Sequence, residues 1–548
     1  MVRALKLSGV EYIFVLCGNG LAPFLEACVG SGIKVIDTRN EQAAAYMADI
    51  WGRGTGRIGV VAVSSGPGHT NALTGLANAY WDGGPMLLIS GCSDLKTRGR
   101  DHFQELDQVG MAAPVCKYAG LVTSAAALPH ELHKALTSAV SGRPGPVHLT
   151  IPLDVWEAEV PESEAAQLPA AAAKLPFRVV HSSRGNEEAV NRAVSLLLEA
   201  EKPVIIVGSG AFYAGAGGAV EELARKTDIP VFSQLWDRGC LDRKFPQYLG
   251  IAATELNGAT RLLHEADVAL ILGARLDYRL GYGRPPFWHS RVRFIRVDIE
   301  PGELLRGVVP EVAVHGDPKS VVEQMKAMMP HSPHRPAWLE RLRQARREFI
   351  DRFAPLALKE DMPLSAMRIC REIKPFLDQD VSFLIDGGNI GRWAHMTLFD
   401  RHPAHWYTCG ASGVIGWGLP GAMTVRLLRP DHPVLLLSGD GSAGFTLAEI
   451  ETALRFGTPY VAVIAHDGAW GIVSDGQKEG YSIATKLGTI RFDKVAEALG
   501  ACGVYIEKPD QLGRAIEEGL RRDTVTIIHV PTQLGGIARL DPTQKVSC

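Results

Sequence analysis

The chain has 548 residues, 46% of them hydrophobic and 21% charged, with a formal net charge of −3. That length exceeds one hydrophobic core and calls for two to four domains. The near-neutral charge argues against nucleic acid as a partner, and with no apolar run of bilayer-spanning length and no secretion-signal pattern it argues against a membrane as well. Nine scattered cysteines without metal-ligand spacing predict reduced thiols in a cytoplasmic protein.

Along the first third, β-branched runs alternate with helical stretches. Strands are predicted over 34–37, 58–64, 86–90 and 147–151, with helices over 41–51 and 71–81 between them. Continuous apolar strands separated by helices predict a parallel sheet covered on both faces. An Ala-, Glu- and Pro-rich stretch, 157–177, reads as a linker. A second α/β block runs over 202–329, and a charged amphipathic helix, 339–353, follows a Pro- and His-containing connection. The last third repeats strand, glycine and helix at 381–389, 434–442, 460–468 and 526–531. The expectation is an α/β protein of three doubly wound parallel-sheet domains, 1–156, 180–330 and 361–548.

The chemistry concentrates in the last third. A buried strand ends in Gly439-Asp440-Gly441-Ser442 and a helix follows. Main-chain N–H groups and a helix N-terminus attract phosphate, while a carboxylate at the same strand end can hold a hard cation against it. One strand later comes His466-Asp467-Gly468-Ala469-Trp470-Gly471, with Asp467 27 residues after Asp440. Two parallel strands thus deliver Asp440 and Asp467 to one sheet edge, and the Ala469 carbonyl is the candidate third ligand of an octahedral Mg²⁺.

This spacing resembles the thiamine-diphosphate motif of the acetolactate synthase, benzaldehyde lyase and 2-hydroxyacyl-CoA lyase superfamily, where Gly-Asp-Gly is followed by Asn-Asn. His466-Asp467 stands in place of Asn-Asn. The resemblance implies a pyrimidine-binding first domain, a central nucleotide-binding-like domain and a diphosphate-binding third domain. It implies thiamine diphosphate and Mg²⁺ as cofactors, held by Gly439, Asp440, Gly441, Ser442, Asp467, Ala469 and Gly471, with a further turn at Gly388-Asn389. The segment 410–420, GASGVIGWGLP, is similar to the loop that grips the aminopyrimidine, which gives Ile415 the place under the bent cofactor and the Gly413 carbonyl a hydrogen bond to it. Glu41, within Thr38-Arg39-Asn40-Glu41, falls at the family's essential Glu, the group that activates the aminopyrimidine. Ser64-Ser65-Gly66-Pro67-Gly68-His69-Thr70-Asn71 resembles the family's turn near the same ring.

Substrate contacts are expected at less uniform positions. Gly20 occupies the place of a pocket histidine in benzaldehyde lyases. His69 reads either as a proton donor to substrate or as a structural histidine. Phe103 and Gln104, with Lys117 downstream, resemble positions of acetolactate synthases and acyl-CoA lyases. Arg279, in Ala274-Arg275-Leu276-Asp277-Tyr278-Arg279, resembles the arginine that reaches the carboxylate of a second keto acid. It also reads as a surface residue or a nucleotide contact. Asp475-Gly476-Gln477 stands where acetolactate synthases carry a tryptophan. In the central domain Gly208-Ser209-Gly210 leaves two readings, FAD or ADP bound as in some relatives, or no nucleotide as in benzaldehyde lyase.

The resemblance implies an enzyme for small carbonyl substrates whose active site is shared across a homodimer or homotetramer interface. The leading reaction is an acetolactate-synthase-like carboligation or decarboxylation of 2-keto acids or aldehydes. The alternative is a lyase acting on 2-hydroxy ketones or 2-hydroxyacyl-CoA. An NAD(P)- or flavin-dependent oxidoreductase would need a clear Gly-x-Gly-x-x-Gly after an early strand, and none stands there. An inactive partner subunit would be expected to lose Glu41 or Asp440, and both are present.

Overall fold

The structure, a computed structural model, describes residues 1–160, 176–179, 182–235, 240–241, 244–329, 335–398, 405–478 and 480–537. Most of the predicted linker over 157–177, and part of the connection before 335, lie outside the described residues.

Three six-stranded, all-parallel sheets make up the molecule. The first contains β1 (Tyr12–Leu16), β2 (Lys34–Asp37), β3 (Gly59–Val63), β4 (Met86–Cys92), β5 (Tyr118–Leu121) and β6 (Pro146–Pro152), in the order β2-β1-β3-β4-β6-β5. The second contains β7 (Pro203–Val207), β8 (Val231–Gln234), β9 (Tyr248–Ala252), β10 (Val268–Leu272), β11 (Arg293–Asp298) and β12 (Val312–His315), in the order β12-β11-β10-β7-β8-β9. The third contains β13 (Ser382–Asp386), β14 (Trp406–Thr408), β15 (Val434–Gly439), β16 (Val461–His466), β17 (Cys502–Tyr505) and β18 (Thr526–Pro531), in the order β14-β13-β15-β16-β18-β17.

Runs such as Val434–Gly439 and Val461–His466 are apolar at consecutive positions because helices cover both faces of each sheet. Two strands of the first sheet escaped the sequence reading, as did Trp406–Thr408 and Cys502–Tyr505 of the third. Tyr12–Leu16 follows a short helix and a turn at Ser8-Gly9, and Tyr118–Leu121 is a half-buried edge strand.

Each sheet reverses its winding once: between β1 and β3, between β7 and β10, and between β13 and β15. In an open α/β sheet a ligand crevice forms at such a reversal, beyond the carboxyl ends of the strands. Three crevices are therefore built into the topology.

The first and third sheets are joined by one continuous core. Helix α1 (Glu41–Thr55) and helix α2 (Pro67–Asp82) cover the first sheet, and helix α3 (Gly418–Leu428) covers the third. Ala44, Met47 and Trp51 of α1 lie in the same buried cluster as Leu419, Met423 and Val425 of α3. Among the described residues no helix is long and apolar enough to cross a membrane.

Candidate active site

The reversal between β13 and β15 opens into a cleft of about 410 Å³. Gly388, Asn389, Gly413, Ile415, Gly439, Asp440, Gly441, Ser442, Asp467, Ala469 and Gly471 all line it. Asp440 ends the β15 run and Asp467 follows β16, so neighbouring strands bring the two acids together across the gap. Asp440 accepts from the Gly441 N–H at 2.8 Å and the Gly468 N–H at 2.9 Å. Asp467 accepts from the Ala469 N–H at 3.1 Å and from Asn389 Nδ2 at 3.2 Å. Burial pushes both carboxyls up to about 6, and for Asp467 the nearby charge of Asp440 adds to the rise. A buried and a half-buried acid raised in this way are a site poised for a cation.

Among the described residues no three His, Cys, Asp or Glu side chains converge on one point. The donor set is thus two carboxylates plus main-chain carbonyls, an all-oxygen set that suits a hard divalent ion. The glycines hold the cleft open: a Cβ on Gly388 would stand 2.7 Å from Ile472, and one on Gly441 2.5 Å from the Trp470 ring. The residues present fit a diphosphate with its cation.

The Ile415 loop is held from two sides. From the third domain, Asp386 Oδ2 accepts from the N–H groups of Gly416 at 3.1 Å and Gly418 at 2.9 Å, and burial raises this carboxyl to about 7. From the first domain, Tyr46 Oη donates to the Ile415 carbonyl at 3.3 Å, and Arg53 donates to the carbonyls of Thr408 and Cys409 at 2.8 and 3.1 Å. Arg53 is itself buried between Asp49 and Asp82, each at 2.9 Å. Asp82 also accepts from the Ala411 N–H at 3.1 Å. Gly410, with φ 88°, makes that approach feasible, since a Cβ there would overlap the Asp82 carboxylate at 1.3 Å. No local pattern marks Asp386, Asp82 or Arg53 as loop supports, because their partners lie tens to hundreds of residues away.

Glu41 begins α1 and is buried, with its Oε2 accepting from Asn71 Nδ2 at 3.0 Å. It does not line the cleft of its own chain. It lies beside the reversal of the first sheet, where Asn19 Nδ2 donates to Ser65 Oγ at 3.0 Å and Ser65 Oγ donates to Gln104 Oε1 at 3.0 Å. Gln104, with φ 60°, is thus gathered at the same edge as the Ser64–Gly68 turn, and Phe103 beside it is 68% exposed.

Gly20 packs there too, but against main chain: a Cβ would stand 2.8 Å from the Cys92 nitrogen, so the position has no room for any side chain. His69 lies wholly in the core, bonded through Nδ1 to Ser90 at 2.9 Å and packed on His148 at 4.7 Å. Burial lowers its pKa to about 4. Its Nε2 is buried without a hydrogen-bond partner among the described residues. Lys117 donates to the carbonyls of Ser141 and Arg143.

Arg279 turns away from the cleft. Its guanidinium pairs with Asp277 at 2.8 Å and donates to the Leu235 carbonyl at 3.1 Å. Its neighbour Tyr278 lines the cleft instead, with Ile472 and Val473. The preference of Tyr for half-exposed pocket walls is the one signal that could have found it.

The central reversal, between β7 and β10, leaves only about 20 Å³ of free space. Gly210 and Gly273 pack main chain on main chain, Arg275 pairs with Glu303 at 2.7 Å, and Arg143 enters from the first domain. Burial raises Asp298 there to about 6. In this arrangement the crevice does not fit FAD or ADP.

Comparison with known proteins agrees with this geometry. Residues 1–111 match the N-terminal TPP binding domain of thiamine pyrophosphate enzymes, residues 190–325 the central domain and residues 386–530 the C-terminal TPP binding domain. The chain is 30% identical to 2-hydroxyacyl-CoA lyase of Oryza sativa, over 96% of this chain and 94% of the relative. It is 32% identical to the acetolactate synthase of Arthrospira platensis, over 97% and 93%. It is 28% identical to a probable acetolactate synthase large subunit of Methanococcus aeolicus, over 95% and 90%. Three matched domains, three parallel sheets and relatives aligned over nearly their whole length place this chain in the family of thiamine-pyrophosphate-dependent enzymes that make or break carbon–carbon bonds.

Proposed function

We propose that the protein is a thiamine-diphosphate- and Mg²⁺-dependent carboligase of the acetolactate synthase kind, acting on 2-keto acids or aldehydes. The observation that carries this reading is the pair of neighbouring carboxylates, Asp440 and Asp467, set against glycine main chain in one cleft with the Ile415 loop. When bound, the cofactor supplies an electron sink next to the substrate carbonyl. Asp440, Asp467 and the Ala469 carbonyl hold the cation, and the main chain of Gly439, Gly441, Ser442, Gly388 and Gly471, with Asn389, binds the diphosphate. Gly413 and Ile415 orient the aminopyrimidine, and Glu41 holds a proton at that ring.

Glu41 lies outside the cleft of its own chain, so a complete site draws Glu41 from one copy and the cleft from another. Exposed apolar side chains at both edges support this: Phe103 near Glu41, and Ile472 and Val473 at the cleft. The working form is then a homodimer or homotetramer. The filled central crevice supports a cycle served by thiamine diphosphate and Mg²⁺ without FAD or ADP.

A second reading is a lyase cleaving 2-hydroxy ketones or 2-hydroxyacyl-CoA. It is favoured by Arg279, whose guanidinium is engaged by Asp277 and Leu235 rather than presented to a second keto acid.

The test begins with denaturing the purified protein and identifying what is released. Thiamine diphosphate without flavin or adenine nucleotide is expected. Turnover of pyruvate, alone or with an aldehyde acceptor, establishes the carboligase. Turnover confined to 2-hydroxy ketones or 2-hydroxyacyl-CoA esters establishes the lyase. Failure to bind thiamine diphosphate even with Mg²⁺ added overturns both.

A further inference from the structure

His466 departs from the Asn that the family carries at this place, and its surroundings fix which of its nitrogens bears the proton. Behind it stands a chain of contacts leading away from the cleft. His466 Nδ1 is 2.9 Å from His529 Nε2, and His529 Nδ1 is 3.2 Å from Asp493 Oδ1. Arg491 grips Asp493 with two N–H groups, at 2.9 and 2.6 Å. Phe492 packs 5.8 Å from both imidazoles.

The hydrogens follow from the far end. Arg491 keeps Asp493 ionised, holding it below the usual carboxylate range, and an ionised carboxylate can only accept. His529 Nδ1 therefore carries a hydrogen. His529 is neutral, since burial lowers its pKa to about 4, so its Nε2 has none and must accept. His466 Nδ1 is then the donor, and His466 Nε2 is left as a bare lone pair. That nitrogen is buried, makes no hydrogen bond of normal geometry even though the Gly488 carbonyl lies near the ring, and stands 3.6 Å from Asp440 Oδ2. A lone pair facing a carboxylate across 3.6 Å is unfavourable unless a donor sits between them. A water on a divalent cation is such a donor, polarised by the ion it coordinates.

We propose that His466 is a positioning residue for the cation, accepting through Nε2 a hydrogen bond from a water on the ion held by Asp440 and Asp467, with His529 and Asp493 fixing it in the accepting tautomer. The proposal rests on the assignment of Asp440 and Asp467 as cation ligands. It gives roles to His529 and Asp493, which touch neither ligand.

The test is Mn²⁺ affinity in the presence of thiamine diphosphate, read from the electron paramagnetic resonance signal of free Mn²⁺, for wild type, His466→Asn, His529→Gln and the double variant. Outer partners of metal sites typically contribute about 10–100-fold in affinity. Each single variant is expected to weaken binding by roughly that factor, and the double variant to match His466→Asn within about threefold, because both act through one contact. If His529→Gln is too unstable to purify, Arg491→Gln, which releases Asp493 at a half-exposed position, is titrated in its place, with a smaller loss expected. Wild-type affinity in His529→Gln, or losses that multiply in the double variant, overturns the relay. Strong ¹⁴N coupling to bound Mn²⁺ puts His466 on the ion itself and overturns the water-mediated contact. A wild type that takes up no Mn²⁺ refutes the cation site as well, so the two failures are told apart.

Discussion

Glu41 is a buried carboxyl with one hydrogen-bond donor, Asn71, and a glycine, Gly68, on its open side. A Cβ on Gly68 would stand 3.2 Å from Glu41 Oε1, so the glycine leaves that oxygen approachable by a ring. Glu41→Gln keeps the shape and removes the acid. Turnover is expected to fall by about 10²–10⁴-fold, the usual range for a proton-transfer group, while thiamine diphosphate still binds. Steady-state rates and fluorescence titration of the cofactor check the two halves separately.

The raised carboxyls have a consequence for stability. Asp386, Asp440 and Asp467 have folded-state pKa values of about 7, 6 and 6, above the 3.8 of an unperturbed Asp. The folded cofactor-free protein therefore holds these protons more tightly than the unfolded chain does. Its stability is expected to fall as pH rises from about 4 to about 7 through these groups. A divalent cation favours the ionised forms of Asp440 and Asp467, so the stabilisation it gives should grow over the same window. Melting curves at several pH values, with and without Mg²⁺ and thiamine diphosphate, test both trends. A gap that stays constant with pH contradicts the assignment of these acids.

At the level of elements, the supporting structure is the pair α1 and α3 with the loop between β14 and α3. Arg53 on α1 satisfies two buried carboxylates and two loop carbonyls at once. Arg53→Met would leave Asp49 and Asp82 buried without their cation, a loss of about 3–5 kcal/mol by analogy with other broken buried pairs. Urea unfolding should record that loss, and thiamine diphosphate affinity should fall with it because the Ile415 loop has lost its rear support.

The strand–glycine–helix units of this region were legible in the sequence, since an apolar strand running into Gly-Asp-Gly has few other uses. The clamp was not legible. Asp82 and Ala411 are 329 positions apart, and no local pattern marks an aspartate that will accept from a distant N–H. The same limit hid the meaning of His466, whose partner His529 lies 63 residues on. Arg279 shows the opposite difficulty, for the motif led to this segment, while Asp277 two residues before it engages the guanidinium and Tyr278 lies at the cleft.

For the whole molecule, the separation of Glu41 from the cleft of its own chain makes a sharp demand on assembly. Mixing a Glu41→Gln chain with an Asp440→Asn chain should restore activity that neither has alone. In a mixed dimer one of the two sites receives both intact residues. Random pairing makes half the dimers mixed, so recovery of about a quarter of wild-type turnover is expected from a two-fold shared site. No recovery after subunit exchange, with exchange itself verified by a mass-tagged chain, would place each site within one subunit.

Helix α1 acquires a double allegiance in such a dimer. Its first residue, Glu41, serves a cofactor held mainly by the neighbour, while Tyr46, Asp49 and Arg53 further along brace the cofactor loop of its own subunit. Twelve residues of helix separate Glu41 from Arg53, about 18 Å at the usual rise. That rod is buried for nearly its whole length, with little slack to absorb a push at either end. A loop that tightens around its cofactor in one centre would thus lean on the lever that carries the acid into the other. Two chemically independent reactions would then keep time with each other through a single helix.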